Sequence, residues 1–254
     1  MKKFIATSII IMLTMISFAQ ERIANMYLEY DATVNEIKKT GKFYGFKGES
    51  VFYFEKGNAL GIKERVEHEN GIKKMTVLMS SAEKIHGKVE TNLKKKQIIS
   101  SERIFKQRKY SAFIVEEELR FIKWKLIPEK RKIGNFTCLK AEGTFKGRFY
   151  TVWYTPEVVS ILGPWKFHGL PGVVVEVYDK DLFIHLMLTK IQIKQQQLHY
   201  KALDKEKAIK CVDFFKLKNE QSLEIKKHIQ SKLPRGASFQ IKKTNNNWLE
   251  KTCR

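Results

Sequence analysis

Leu28, Tyr30, Ala32 and Val34 alternate with Glu29, Asp31 and Thr33, and this period of two predicts a half-buried strand early in the chain. Alternation or short apolar runs predict further strands over 50–55, 60–67, 75–79, 97–105, 110–115, 121–127, 136–142, 148–155, 173–178 and 182–193. Within 121–127, Ile122, Trp124 and Leu126 share a face. Gly57-Asn58 and Asp179-Lys180-Asp181 punctuate the runs, and Asn70-Gly71 is a hairpin signal because both residues tolerate positive φ. Gly143 and Gly147 mark the bend of another hairpin. The polar, Lys-rich and Gly-containing stretch 36–48 reads as a loop.

The pattern changes after about Gln195. Asp204 can cap a helix in which Ala208, Cys211, Val212 and Phe215 fall at helical spacing. Leu223, Ile225, Ile229 and Leu233 suggest a second helix, stopped by Pro234. The expected fold is therefore mainly β (β-rich α+β). It is one domain over 20–254, a large antiparallel twisted sheet of some ten strands with one or two C-terminal helices at about 204–234.

The first twenty residues do not belong to that pattern. Lys2 and Lys3 precede an apolar stretch from Phe4 to Ile16, and Ser17-Phe18-Ala19 carries small residues where a signal peptidase reads. This predicts a secretory signal peptide over 1–19, cleaved after Ala19. No Cys lies near the cut, so the expectation is not a lipoprotein. Of 254 residues, 48 are Lys or Arg and 27 Asp or Glu, a net charge of +21 that falls to +19 once Lys2 and Lys3 are removed. Such a charge attracts anionic surfaces. For an exported protein that points to an anionic membrane surface or an anionic glycan and away from nucleic acid, although the Lys are spread along the chain and also read as solvated background charge. The expected location is the periplasm or the periphery of the outer membrane.

Three Cys remain in the mature chain: Cys138 on an expected strand, Cys211 on an expected helix and Cys253 beside the C-terminus. An oxidising compartment permits one disulfide. Cys138 with Cys211 or with Cys253 is allowed, and spacing does not choose the partner. No CxxC, no HExxH and no zinc-type pairing of the six His with Cys occurs, so neither metal nor cofactor is expected. Ser160, His168 and Glu176 are the residues from which a hydrolytic site would be drawn, but no GxSxG surrounds Ser160. Glu116-Glu117-Glu118 is not expected to make an acid/base pair, because adjacent carboxylates on a strand point to opposite faces, and it reads as a solvated turn.

The segment Gly163-Pro164-Trp165-Lys166-Phe167-His168-Gly169-Leu170-Pro171-Gly172 packs three Gly, two Pro and two large aromatics ahead of the apolar run Val173–Val177. Gly opens backbone angles closed to other residues and Pro fixes φ, so a rigid, specifically shaped turn entering a buried strand is expected. The segment resembles the signature of the GLPGLI family of exported bacterial envelope proteins, with Val173-Val174 in place of Leu-Ile. Trp124-Lys125-Leu126, Lys132-Ile133-Gly134, Cys138, Lys140-Ala141, Gly147-Arg148 and Trp153-Tyr154-Thr155-Pro156-Glu157 extend the resemblance over 124–178.

The resemblance implies export to a Gram-negative envelope and association with an outer-membrane receptor, and it brings no catalytic residues. The expected sheet is also similar to the half-open barrel of periplasmic lipoprotein carriers. The expected function is a non-enzymatic binding or accessory protein for an apolar or peptide-like ligand. The alternatives are a structural protein at the outer membrane and a hydrolase with an unrecognised site. Trp165, Phe167, His168 and Leu170 are the candidate binding residues. Trp165, Phe167 and Leu170 are expected to plug one end of the sheet; exposed, they would instead form an apolar lip for a partner or lipid, and His168 reads as a turn or surface His.

Overall fold

A computed structural model describes residues 20–34, 37–55, 63–69, 72–78, 87–106, 109–231, 250 and 252–253. The expected signal peptide, Gly57-Asn58, Asn70-Gly71 and Pro234 lie outside the described residues. Sixteen strands run in order: β1 (Gln20–Ala24), β2 (Met26–Val34), β3 (Ile37–Phe46), β4 (Glu49–Phe54), β5 (Lys63–Glu69), β6 (Ile72–Leu78), β7 (Lys88–Asn92), β8 (Gln97–Lys106), β9 (Lys109–Glu118), β10 (Lys125–Ile133), β11 (Phe136–Phe145), β12 (Arg148–Thr155), β13 (Val173–Asp179), β14 (Ile184–Gln192), β15 (Gln196–Tyr200) and β16 (Ala208–Lys210), followed by helix α1 (Cys211–Ser231).

Twelve strands form one open twisted sheet in the order β10-β11-β12-β13-β14-β2-β3-β4-β7-β8-β9-β16. All neighbours are antiparallel except β16 on β9. β1 with β15, and β5 with β6, make two-stranded ribbons. The mainly β fold expected from the sequence is thus the fold observed. Among the described residues no helix is long and apolar enough to cross a membrane.

Four local expectations are corrected. The stretch read as a loop over 36–48 is mostly strand β3. Its glycines misled because they make room for rings: Gly41 lies under Phe52 and Gly45 beside Phe43. The strand expected at 121–127 starts only at Lys125, so Ile122 is buried while Leu126 is exposed. Asp204 caps a mere 3-10 turn, accepting from the Glu206 N–H at 3.2 Å, and the α-helix begins at Cys211. The two expected helices are one, since no Gly or Pro interrupts 211–231.

Alternation along the strands puts Leu28, Phe43, Phe52, Val152, Val177 and Leu186 on one inner face, all buried. That face is covered by the connection between β12 and β13. The connection doubles back on itself, with Gly169 N–H donating to Ile161 O, Gly172 N–H to Ser160 O and Val173 N–H to Val158 O, each at 2.9–3.0 Å. Its aromatic tip enters the core. The Phe167 ring meets Tyr150 at 4.8 Å and Trp165 at 5.0 Å, and Trp165 meets Phe145 at 5.9 Å. Helix α1 covers the β8–β9 end of the same face through Cys211 and Phe214 on Ile104 and Val115.

Two glycines make the turn possible. A Cβ on Gly163 would lie 2.0 Å from the Phe167 carbonyl oxygen, and one on Gly172 2.1 Å from that of Thr155. Backbone occupies both places, so no side chain can yield. Gly172→Ala should therefore destabilise the protein by more than about 3 kcal/mol. Gly48→Ala, at φ +75° with nothing within 4 Å, should cost only about 1 kcal/mol. Urea unfolding of both variants checks the contrast.

Candidate functional site

The residues richest in chemistry gather where the two ends of the open sheet approach each other. Lys146 and Gly147 turn β11 into β12, both at positive φ. This turn carries the Lys146 ammonium to Glu117 on β9, nine places away in strand order. Lys166, from the aromatic connection, pairs with the other oxygen of Glu117 and with Glu250. Lys146 also reaches Glu250 at 3.6 Å and donates to the Cys253 carbonyl at 3.1 Å. Lys218 on α1 donates to the Glu250 carbonyl at 3.1 Å.

These groups are buried. The Lys166 side chain is 1% exposed, Lys146 4% and Glu117 7%. Burial alone would raise the Glu117 carboxyl, but the ammonium groups of Lys166 and Lys146 outweigh it and hold that carboxyl below its ordinary range. Burial would likewise lower Lys166, and Glu117, Glu250 and Glu102 outweigh it and hold the ammonium above its ordinary value. Glu102, on the same face of β8, has no such dominant partner. Burial, opposed by Lys166 and reinforced by Glu250 and Glu117, pushes it up to about 7. Glu116-Glu117-Glu118 is therefore strand, not a solvated turn, and its middle carboxylate lies in the interior.

The disulfide joins Cys211 to Cys253, with Cα atoms 5.9 Å apart. The pairings of Cys138 with Cys211 or Cys253 are corrected by this. Cys138 is a free, buried thiol on the opposite face of the sheet, against Trp153 and Val175, and burial pushes it up to about 11.

The sequence candidates of the signature segment lie in the core. Trp165, Phe167 and Leu170 are all buried, so they plug the sheet and form no exposed lip. His168 is buried between the turn and β7. Its Nδ1 accepts from the Gly163 N–H at 3.1 Å, which leaves the proton on Nε2 to donate to Thr91 Oγ1 at 3.2 Å. Its carbonyl accepts from Trp124 Nε1 at 3.0 Å. Burial, with the Lys166 charge adding, lowers its imidazole to about 3. Its role here is to tie the turn to the sheet. Gly163, Pro164, Gly169, Pro171 and Gly172 shape that turn; Gly169 sits at φ +100° against Phe121.

The residues of the hydrolytic alternative are engaged elsewhere. Ser160 Oγ donates to the Leu162 carbonyl at 2.6 Å, and Glu176 pairs with Arg131 and, at 2.9 Å, with His185. Among the described residues the one cluster of three metal-type ligand atoms is Glu117, Cys211 and Glu250. Its sulfur is in the disulfide and its carboxylates carry lysines, so it does not suit a cation.

A cleft of about 320 Å³ opens beside this network. Tyr53 and Phe54 supply aromatic surface, Lys88 and Arg103 positive charge, and Glu102 lines it from the network side. The sequence does not point to this cleft, and it shows Glu117 only within an acidic run read as a solvated turn. Gly147 at a hairpin bend and Glu117 in that run are legible separately, but nothing in their spacing brings Lys146 and Glu117 together.

No family model and no curated protein matches the chain. Among solved structures it is similar to PNGF-II in two crystal forms, at TM-score 0.47 with 13% and 12% identity, over 78% and 77% of this chain. The chain spans about a third of the length of that protein.

Two buried groups titrate with opposite sign. His168 is lowered, so the unfolded chain binds a proton first and stability falls as pH drops from about 6.5 towards 3. Glu102 is raised, so the folded chain holds its proton longer and stability falls as pH rises from about 4.5 to 7. Each contributes at most about 1.4 kcal/mol per pH unit. Between pH 4.5 and 6.5 they offset each other. Relative to wild type, Glu102→Gln should make stability rise with pH across that window, and His168→Gln should make it fall. Urea midpoints measured at pH 4.5, 5.5 and 6.5 report both slopes.

Proposed function

We propose that the chain is an exported envelope protein of the GLPGLI kind, acting as a non-enzymatic binding or accessory protein. The observation that carries the binding reading is the cleft beside Glu102. Its volume lies at the lower end of the range for small-ligand sites, and it combines aromatic surface with two cations and one carboxylate. That lining suits an apolar or peptide-like ligand bearing negative charge. The inner face of the sheet is not the ligand site, because the signature segment fills it.

One further observation supports export: the Cys211–Cys253 disulfide suits an oxidising compartment. A second reading, recruitment to an anionic membrane surface, is favoured by edge strand β10, where Lys125, Lys130, Arg131 and Lys132 are exposed. The associations with an outer-membrane receptor and with the periplasm are part of the same proposal.

The test is expression of the full chain in a Gram-negative host. The expected outcome is release by osmotic shock of a product beginning at Gln20, with Cys211 linked to Cys253 and Cys138 alkylated only after denaturation. Affinity capture from envelope extracts should then give a partner or ligand that survives high salt and is lost in Tyr53→Ala/Arg103→Ala. A cytoplasmic, uncleaved product would overturn export. Capture that high salt abolishes would replace the cleft by the membrane-surface reading.

A further inference from the structure

The tail residue Glu250 occupies its place as a ligand occupies a site. It is buried, and both of its carboxylate oxygens meet ammonium groups, one from Lys166 and the other from Lys146, while its backbone carbonyl accepts from Lys218. These three lysines come from three different elements: the β11–β12 turn, the signature segment and α1. Tyr150 is fully buried nearby. Its hydroxyl has no hydrogen-bond partner among the described residues and lies within electrostatic reach of Glu250.

We propose that Lys146, Lys166 and Lys218 form a carboxylate-binding pocket that the chain's own Glu250 fills in cis, and that an acidic residue of another polypeptide takes Glu250's place when the Cys211–Cys253 bond is opened. The disulfide fixes Cys253 three residues from Glu250, which keeps the effective concentration of the internal carboxylate high and excludes an outside one. Opening it needs a dithiol. One thiolate of the dithiol attacks Sγ of Cys253, the less buried residue of the pair, and Cys211 leaves as a thiolate. The second thiol then resolves the mixed disulfide. The protein gains two electrons and two protons as two thiols, and the reductant ends as its own disulfide. This goes beyond the envelope reading and is tested on purified protein, so that either can fail alone.

The experiment uses the mature chain, residues 20–254, and two capped tripeptides, acetyl-Ala-Glu-Ala amide and acetyl-Ala-Gln-Ala amide. For Glu250→Ala, millimolar Glu peptide should raise the thermal midpoint by about 2–4 °C, and the Gln peptide should not. The oxidised wild type should respond to neither. Wild type reduced with dithiothreitol should respond to the Glu peptide alone. If Glu250→Ala does not fold, Glu250→Gln keeps the shape and removes the charge, and the same shifts are expected. Equal shifts with both peptides, an equal shift in oxidised wild type, or no shift in the variants and in reduced wild type would each overturn the proposal.

Discussion

An apolar sheet face that curls without closing has to be filled, and this constraint organises the whole molecule. A closed barrel would fill its interior with its own strand residues. Here β10 and β16 remain edges, so the interior needs an additional wedge. The β12–β13 connection supplies it with Trp165 and Phe167. The geometry of that wedge explains why its sequence is so unusual. Gly163 and Gly172 touch backbone oxygens where a Cβ would collide, and Trp165 itself is held at φ +52°. Such a residue is retained only when the surroundings overdetermine it, and the hydrogen bonds of the turn together with its ring contacts do so here.

A wedge driven by apolar burial alone would be free to slide over a greasy surface. Polar anchors fix its register. His168 bonds Gly163 within the turn and Thr91 on β7, and Lys166 reaches Glu117 on β9. Lys146 ties the same carboxylate to the opposite end of the sheet. Buried ion pairs of this sort contribute little net stability compared with well-packed apolar side chains. Their effect is to exclude alternative placements, because any displacement strands a charge in the interior. Glu250 enters this arrangement and Cys253 is held by the disulfide, so these two residues belong to the core architecture.

The proposals of export, of a binding cleft and of an internal carboxylate rest on overlapping parts of the chain. The first depends on the amino-terminal segment and the disulfide, the second on the rim formed by β4, β7 and β8, the third on the junction of turn, connection and helix. Glu102 is the residue that the cleft and the internal carboxylate share. It lines the cleft and feels the charges of Lys166, Glu117 and Glu250. Occupation of either place by a charged group therefore alters the other electrostatically.

Local pattern determined much of this protein. Alternation and short apolar runs marked β2, β4, β8, β12 and β13, turn residues marked the β11–β12 hairpin, and the Gly- and Pro-rich run marked 163–172 as a rigid turn into a buried strand. These are legible because a strand's period and a turn's φ are properties of neighbouring residues. Where glycine served distant rings, as at Gly41 and Gly45, the same local reading mistook strand for loop. What only the tertiary structure decided is everything that joins residues far apart. Cys211 rather than Cys138 meets Cys253, Glu117 lies inside rather than in solvent, and Trp165 and Phe167 fill the sheet rather than line its rim. Those outcomes depend on how far twelve strands twist and curl, a sum over many small rotations that no short stretch of sequence contains.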